Sequence, residues 1–310
     1  MSTLEFDHVT VRFGHGRAAR TAVDDASLVV RSGRTLGLVG ESGSGKSTMA
    51  RVAVGLARAD AGTVRLDGVD LTGRSREAKL ARRRVQMVFQ DPLAALDPRM
   101  PVGVSVAEGL LATGRRLNRT DREARVRELL DLVHIDPSRA GERPARFSGG
   151  QRQRITIARA LAAEPAVLVA DEITSALDVS VQGVVLNLLR ELQSELDLTM
   201  LFISHNLAVV RYVSDEVTVM RAGRVVEHGP TDAVLADPAD PYTRELLRSI
   251  PVMGRPLDLD DLDSAPDLDG APDLDSAADL DYTTDLDKAP ARESTPDLDT
   301  SLDLDGTPRP

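Results

Sequence analysis

Two rhythms of hydrophobic and polar positions alternate along the chain. In LEFDHVTVRF (4–13), SLVVRSG (27–33) and TVRLDGVDL (63–71) apolar and polar residues interleave at short spacing, which predicts antiparallel strands, the last pair turning at Asp67-Gly68. TLGLVG (35–40), VQMVFQ (85–90), AVLVADE (166–172) and TMLFISH (199–205) are short runs that are almost wholly apolar. Such runs, separated by helical patterns, predict the buried strands of a parallel sheet and hence an α/β fold. VTVMRAGRVVEHG (217–229) predicts a closing hairpin over Ala222-Gly223.

Between Leu93 and Phe147 the core-strand pattern stops. Thr120 and Glu123 have the spacing of a capping box, and Val126, Leu129, Leu130 and Val133 share one helical face. A helical subdomain of about residues 93–163 is therefore expected as an insertion in the α/β core. From Pro241 to Ile250 a short helix is expected, with Leu246, Leu247 and Ile250 on the face that packs on the core.

Charge separates the end of the chain from the rest. Of the net −11, residues 256–310 carry −14, with 17 acidic side chains against Lys288, Arg292 and Arg309, so the first 255 residues are close to neutral at +3. Asp-Leu-Asp recurs every six residues from 261 to 303, with Ala-Arg-Glu in the register at 291. A composition of Asp, Pro, Ala, Ser and Thr with isolated Leu buries too little apolar area to offset chain entropy, so a disordered acidic tail is expected at 256–310. A hexapeptide β-solenoid would have Asp flanking every Leu and prolines interrupting it, and calcium binding lacks the glycines of known repeat sites.

Zero Cys excludes disulfides, thiolate zinc sites and cysteine catalysis, leaving oxygen ligands for any metal. No run reaches the roughly 18 apolar residues that span a bilayer, and MSTLEFDHVT does not read as a signal peptide. A cytosolic chain is expected, held at a membrane only by partners.

GESGSGKS (40–47) fits GxxxxGK[ST] and lies between a predicted strand and the helical run TMARVAVGL. Its backbone N–H groups can turn inward around phosphate oxygens at a helix N-terminus. Lys46 would reach the β- and γ-phosphates and the Ser47 hydroxyl would bind Mg²⁺. Asp171 and Glu172 end a buried strand, where Asp171 is placed to meet a metal–phosphate complex held by a neighbouring strand's loop and Glu172 to orient or deprotonate the attacking water. In FSGGQRQR (147–154), Ser148 can cap a helix through ITIARALA, an end suited to an anion or simply a Gly-Gly bend.

Taken in order, Lys46, Gln90, Ser148 to Gln151, Asp171, SALD (175–178) and His205 resemble the nucleotide-binding subunit of ATP-binding-cassette transporters, from about Leu4 to Met253. The resemblance implies a P-loop NTPase fold with an antiparallel β subdomain and an inserted helical subdomain. It implies an ATPase domain over 1–230 and an oligopeptide-transporter-type extension over 231–255. ATP and Mg²⁺ are the implied cofactors. Gly40, Glu41, Ser42, Gly43, Ser44, Gly45, Lys46, Ser47 and Thr48 would form the nucleotide loop. Ser47, Gln90 and Asp171 would face Mg²⁺; Glu172, His205 and Gln90 would be catalytic. In the family two cassettes associate head to tail, so Ser148, Gly149, Gly150 and Gln151 would contact the other subunit's ATP, with Asp178 at the seam. Asp178 also reads as a helix cap. Phe13, a strand residue that could equally be core, is the choice for stacking on adenine. Ile173 stands where the family usually has Pro and Asn206 where it has Asp; neither change removes a phosphate or metal contact.

FQDPLAALDPRM (89–100) and DPYTRELLRSIP (240–251) resemble the second ATPase subunit of dipeptide, oligopeptide and nickel importers. The implied partners are a second ATPase subunit, two membrane permease subunits and, indirectly, an extracytoplasmic solute-binding protein, with no nucleic acid. The implied location is peripheral, on the cytoplasmic face of the membrane. A nickel or other small-solute importer, an exporter ATPase and a soluble cassette ATPase are the alternatives. The last would be expected to carry two cassettes in one chain or a long coiled-coil insertion, and the sequence has neither.

Overall fold

The computed structural model describes residues 2–14 and 20–248. The acidic repeats, His15 and Ile250 lie outside these residues.

Strands β1 (Leu4–Phe13), β2 (Arg20–Val30), β4 (Ala61–Leu66) and β5 (Val69–Asp70) make an antiparallel sheet in the order β2-β1-β4-β5. The tight turn between β4 and β5 falls on Asp67 (φ 52°) and Gly68 (φ 81°), as the sequence predicts. β2 begins well before SLVV. Val23, Ala26, Leu28 and Val30 all point inward, and the odd step from 23 to 26 breaks simple alternation. Register shifts in the β1–β2 ladder, with His8 (φ 52°) and Asp25 (φ 54°) in left-handed conformations, supply the extra residue that restores the phase.

The second sheet holds β3 (Thr35–Val39), β6 (Val85–Val88), β7 (Val167–Asp171), β8 (Thr199–Ile203), β9 (Glu216–Arg221) and β10 (Arg224–Pro230), in the order β10-β9-β3-β8-β7-β6. All neighbouring pairs are parallel except the β9–β10 hairpin. Its strands lack polar breaks because both faces are covered. Leu168, Ala170, Met200 and Phe202 enter one apolar cluster; Val167, Val169, Leu201 and Ile203 enter the other. The second cluster also takes Met49, Ala50 and Val52 of α1 (Lys46–Ala53) and the inner face of the antiparallel sheet.

The inserted segment is helical, with α3 (Pro92–Ala95), α4 (Val102–Gly109), α5 (Arg119–Leu132) and α6 (Gly149–Leu161) joined by short 3-10 turns. Val126, Leu129, Leu130 and Val133 are buried as their spacing predicts, in the same cluster as one face of the central sheet. The expected capping box of Thr120 and Glu123 does not form. Asn118 caps α5 by accepting from Asp121 N at 2.9 Å, so Thr120 lies inside the helix and Glu123 pairs with Arg119 Nε at 2.8 Å. Asn ranks above Thr as a cap and takes the earlier position. α2 (Arg76–Arg83), α7 (Val179–Leu196), α8 (Leu207–Val213), α9 (Thr231–Ala236) and α10 (Pro241–Arg248) complete the described residues.

Candidate active site

The carboxyl ends of β3, β8 and β7 lie in a row, and the loops leaving them carry Lys46, His205 and Asp171-Glu172. Asp171 is therefore not beside the strand that feeds the phosphate loop, as expected from sequence; β8 stands between them. Contact is made by the start of α1 instead, where the Ser47 hydroxyl donates to Asp171 Oδ1 at 3.0 Å.

The loop itself is shaped by close approach. Gly45 caps α1 at φ 102°, and a Cβ there would stand 2.4 Å from Ala22 O of β2. Only glycine fits both demands. The turn after β9 braces the same loop, with Gly223 N donating to Ser44 O at 3.0 Å and Asp24 N to Gly223 O at 2.9 Å.

Lys46 is 4% exposed and folds back onto its own loop, donating to Gly40 O and Glu41 O, each at 2.8 Å. Burial lowers its pKa, and the charges of Glu172, Asp171 and Glu41 oppose that shift. Asp171, 7% exposed, has its pKa raised by burial, opposed chiefly by the Ser47 hydrogen bond. A buried cation and a buried carboxylate held by neutral groups are arranged for a ligand that carries both phosphate and metal.

Glu172 is held in a left-handed conformation (φ 49°), its N–H donating to Ile203 O at 3.0 Å. This turn brings its Oε2 within 3.4 Å of His205 Nδ1, from the end of β8. Gln90 joins the group indirectly: its Nε2 donates to Ser175 Oγ at 3.0 Å, and Ser175 Oγ donates to Glu172 O at 2.9 Å. A cleft of about 810 Å³ runs from Ser47, Gln90 and Asp171 to Arg159 of α6, between the central sheet and the helical segment.

Ser148 caps α6 and makes a capping box with Gln151: Gln151 N donates to Ser148 Oγ at 3.3 Å and Ser148 N to Gln151 Oε1 at 3.0 Å. Gly150 is pressed on α7, where a Cβ would stand 2.3 Å from Val181 Cγ1. No hydrogen bond among the described residues joins residues 148–151 to the phosphate loop of the same chain. Asp178 occupies the N-cap position of α7, as the cap reading expects, but its side chain makes no capping bond, and only its carbonyl joins the helix by accepting from Gln182 N at 2.8 Å. Asn206 caps α8, accepting from Ala208 N at 3.0 Å, while Ile173 is buried in the core. Phe13 is 49% exposed, which removes the core reading of that strand residue. It pairs with Arg20, two residues before the Ala22 that abuts Gly45.

The sequence reading missed Tyr242. The apolar face counted for 241–250 ran through Leu246, Leu247 and Ile250, yet Tyr242 is among the largest fully buried side chains and its hydroxyl accepts from Glu41 N in the phosphate loop at 3.0 Å.

The donor set fits Mg²⁺. Among the described residues no three His, Cys, Asp or Glu side chains converge on one point. Mg²⁺ does not require such a cage, because one or two protein oxygens suffice when phosphate and water complete its shell.

Comparison with known proteins agrees with this geometry. The family described as "ABC transporter" matches residues 23–175, and "Oligopeptide/dipeptide transporter, C-terminal region" matches 226–276. A Brucella abortus (strain 2308) protein, provisionally named a peptide import ATP-binding protein, is 54% identical over 76% of this chain and 71% of its own length. The oligopeptide transport ATP-binding protein OppF of Bacillus subtilis (strain 168) is 47% identical over 80% of this chain and 82% of its own. Among solved structures, the dimeric post-hydrolysis state of the cassette MJ0796 bound to ADP and Pi is 27% identical, with a TM-score of 0.66 over 74% of this chain and 98% of that one. With Ser47 joined to Asp171, Glu172 facing His205, and a relative 54% identical over 76% of its length, the chain belongs to the ATP-binding-cassette transporter family, as an ATP-hydrolysing subunit.

Proposed function

We propose that this subunit powers the import of dipeptides or oligopeptides, working with a second ATPase subunit and two membrane permease subunits on the cytoplasmic face of the membrane. An extracytoplasmic solute-binding protein would deliver the cargo. The observation that carries the reading is the Ser47–Asp171 contact beside the inward-folded Lys46, a phosphate-and-metal socket in a chain whose end matches the oligopeptide/dipeptide region. Among the described residues no helix is long and apolar enough to cross a membrane.

On nucleotide binding Lys46 exchanges the carbonyls of Gly40 and Glu41 for phosphate oxygens, trading neutral acceptors for charged ones. Backbone N–H groups of residues 40–48 surround the phosphates, and Phe13 stacks on the base. Ser47 and Asp171 would hold Mg²⁺, which would neutralise phosphate charge, and Gln90, just beyond β6, would face it across the shared cleft. Glu172 orients and deprotonates the attacking water, while His205 fixes the Glu172 carboxylate and contacts the terminal phosphate. Ser148 to Gln151 and Asp178, which no hydrogen bond among the described residues joins to their own phosphate loop, serve the nucleotide of the opposite subunit. The dimeric state of MJ0796 supports that arrangement. Closure around two nucleotides then moves the permeases, and hydrolysis reopens the pair.

The test is reconstitution with permeases and a binding protein in liposomes. Peptides are expected to stimulate ATP hydrolysis and to accumulate inside; stimulation by nickel complexes but not peptides would overturn the cargo assignment.

A further inference from the structure

One peptide unit of the phosphate loop is gripped at both ends. Its carbonyl, Gly40 O, accepts from Lys46 Nζ at 2.8 Å, and its N–H, on Glu41, donates to the Tyr242 hydroxyl at 3.0 Å. Lys46 has three donors to divide between these carbonyls and phosphate, so nucleotide weakens its hold on Gly40 O and leaves the Tyr242 hydroxyl as the grip that does not depend on the ligand.

Tyr242 is itself fixed from several sides. It is 2% exposed, and the Arg221 guanidinium at the end of β9 lies 4.8 Å from its ring centroid. Tyr242 N donates to Asp240 Oδ1 at 2.8 Å. The carboxylate of Glu227 on β10 accepts from Ala239 N at 2.7 Å and Asp240 N at 3.2 Å. Arg244 closes the same turn onto Pro238 O and Ala239 O. The start of α10 is thus pinned to the β9–β10 hairpin, whose turn also braces Ser44 through Gly223 N.

We propose that Tyr242 is a positioning residue for nucleotide binding: its hydroxyl, carried by the C-terminal helix, holds the Gly40–Glu41 peptide so that the loop's inward N–H groups stay aimed at phosphate. This rests on reading residues 40–48 as the ATP site, and it adds that the extension after β10 sets how tightly that site holds nucleotide. Without the hydroxyl the Glu41 N–H loses its acceptor, and the unit is held at its carbonyl end only.

Tyr242→Phe in the full chain keeps the ring and removes only the hydroxyl. The Kd for MgATP is expected to rise about two- to tenfold, the range of one lost hydrogen bond. KM should rise in parallel with kcat at saturation unchanged, and amide exchange at Glu41 should speed up without nucleotide. A general structural defect would instead lower kcat and the melting temperature together. Lys46→Ala separates the two readings. If it loses MgATP binding while Tyr242→Phe binds as wild type, the role of Tyr242 is overturned; if it binds MgATP normally, the site reading falls and this inference with it.

Discussion

Ser47 Oγ and Asp171 Oδ1 meet at 3.0 Å although the strands behind them, β3 and β7, are kept apart by β8. The bridge forms because α1 starts immediately after the loop and packs against β7. Burial raises the pKa of Asp171 and only a neutral hydroxyl is hydrogen-bonded to it, so its ionised form is costly until a cation arrives. Asp171→Asn keeps an acceptor for Ser47 and removes that cost. Its melting temperature without nucleotide should equal or exceed wild type, while stabilisation by MgATP over ATP with chelator disappears. A large fall in the nucleotide-free melting temperature would show Asp171 to be structural.

Glu172→Gln should lower turnover about a hundredfold or more if the carboxylate is the general base, and should trap an ATP-bound dimer detectable by size-exclusion chromatography. The amide preserves shape, so ATP binding is expected to remain. Near wild-type hydrolysis would refute the assignment.

Gly150 leaves no room for a side chain against Val181. Gly150→Ala should cost about 1–3 kcal/mol from overpacking and weaken ATP-dependent pairing, because α6 must shift and carry Ser148 with it. Val181→Ala in the same chain opens the space and should recover both. Failure of that rescue, measured by melting temperature and dimer fraction, would move the cause away from this contact.

Truncation should distinguish sharply between two points in the C-terminal region. Ending the chain after Arg255 is expected to leave melting temperature and ATPase activity intact, since the described core closes without the acidic repeats. Ending it after Asp240 removes the buried Tyr242 and the half-buried Leu246 and Leu247. Loss of a buried aromatic alone costs about 3–5 kcal/mol, so that variant should melt far lower in calorimetry.

The sequence alone named most of the residues proposed for the site, because that chemistry is local. A phosphate loop needs its glycines, lysine and serine within eight positions. Strand-end carboxylates follow directly on apolar runs, and Ser148 and Gln151 cap the helix they begin. Both-faced burial of the parallel sheet was legible for the same reason: two covered faces leave no polar alternation to break the run. Tertiary structure decided what depends on distant segments meeting. Insertion of β8 between β3 and β7, the bulge that rephases β2, and the choice of Asn118 over Thr120 as cap were all settled by packing or by competition between near-equal options. Tyr242 is the clearest case. It stands in the stretch DPYTRELLRSIP that carries the importer resemblance, yet nothing in the sequence shows what its hydroxyl meets, because its partner, the Glu41 N–H, lies 201 residues earlier and is brought to it only by the fold.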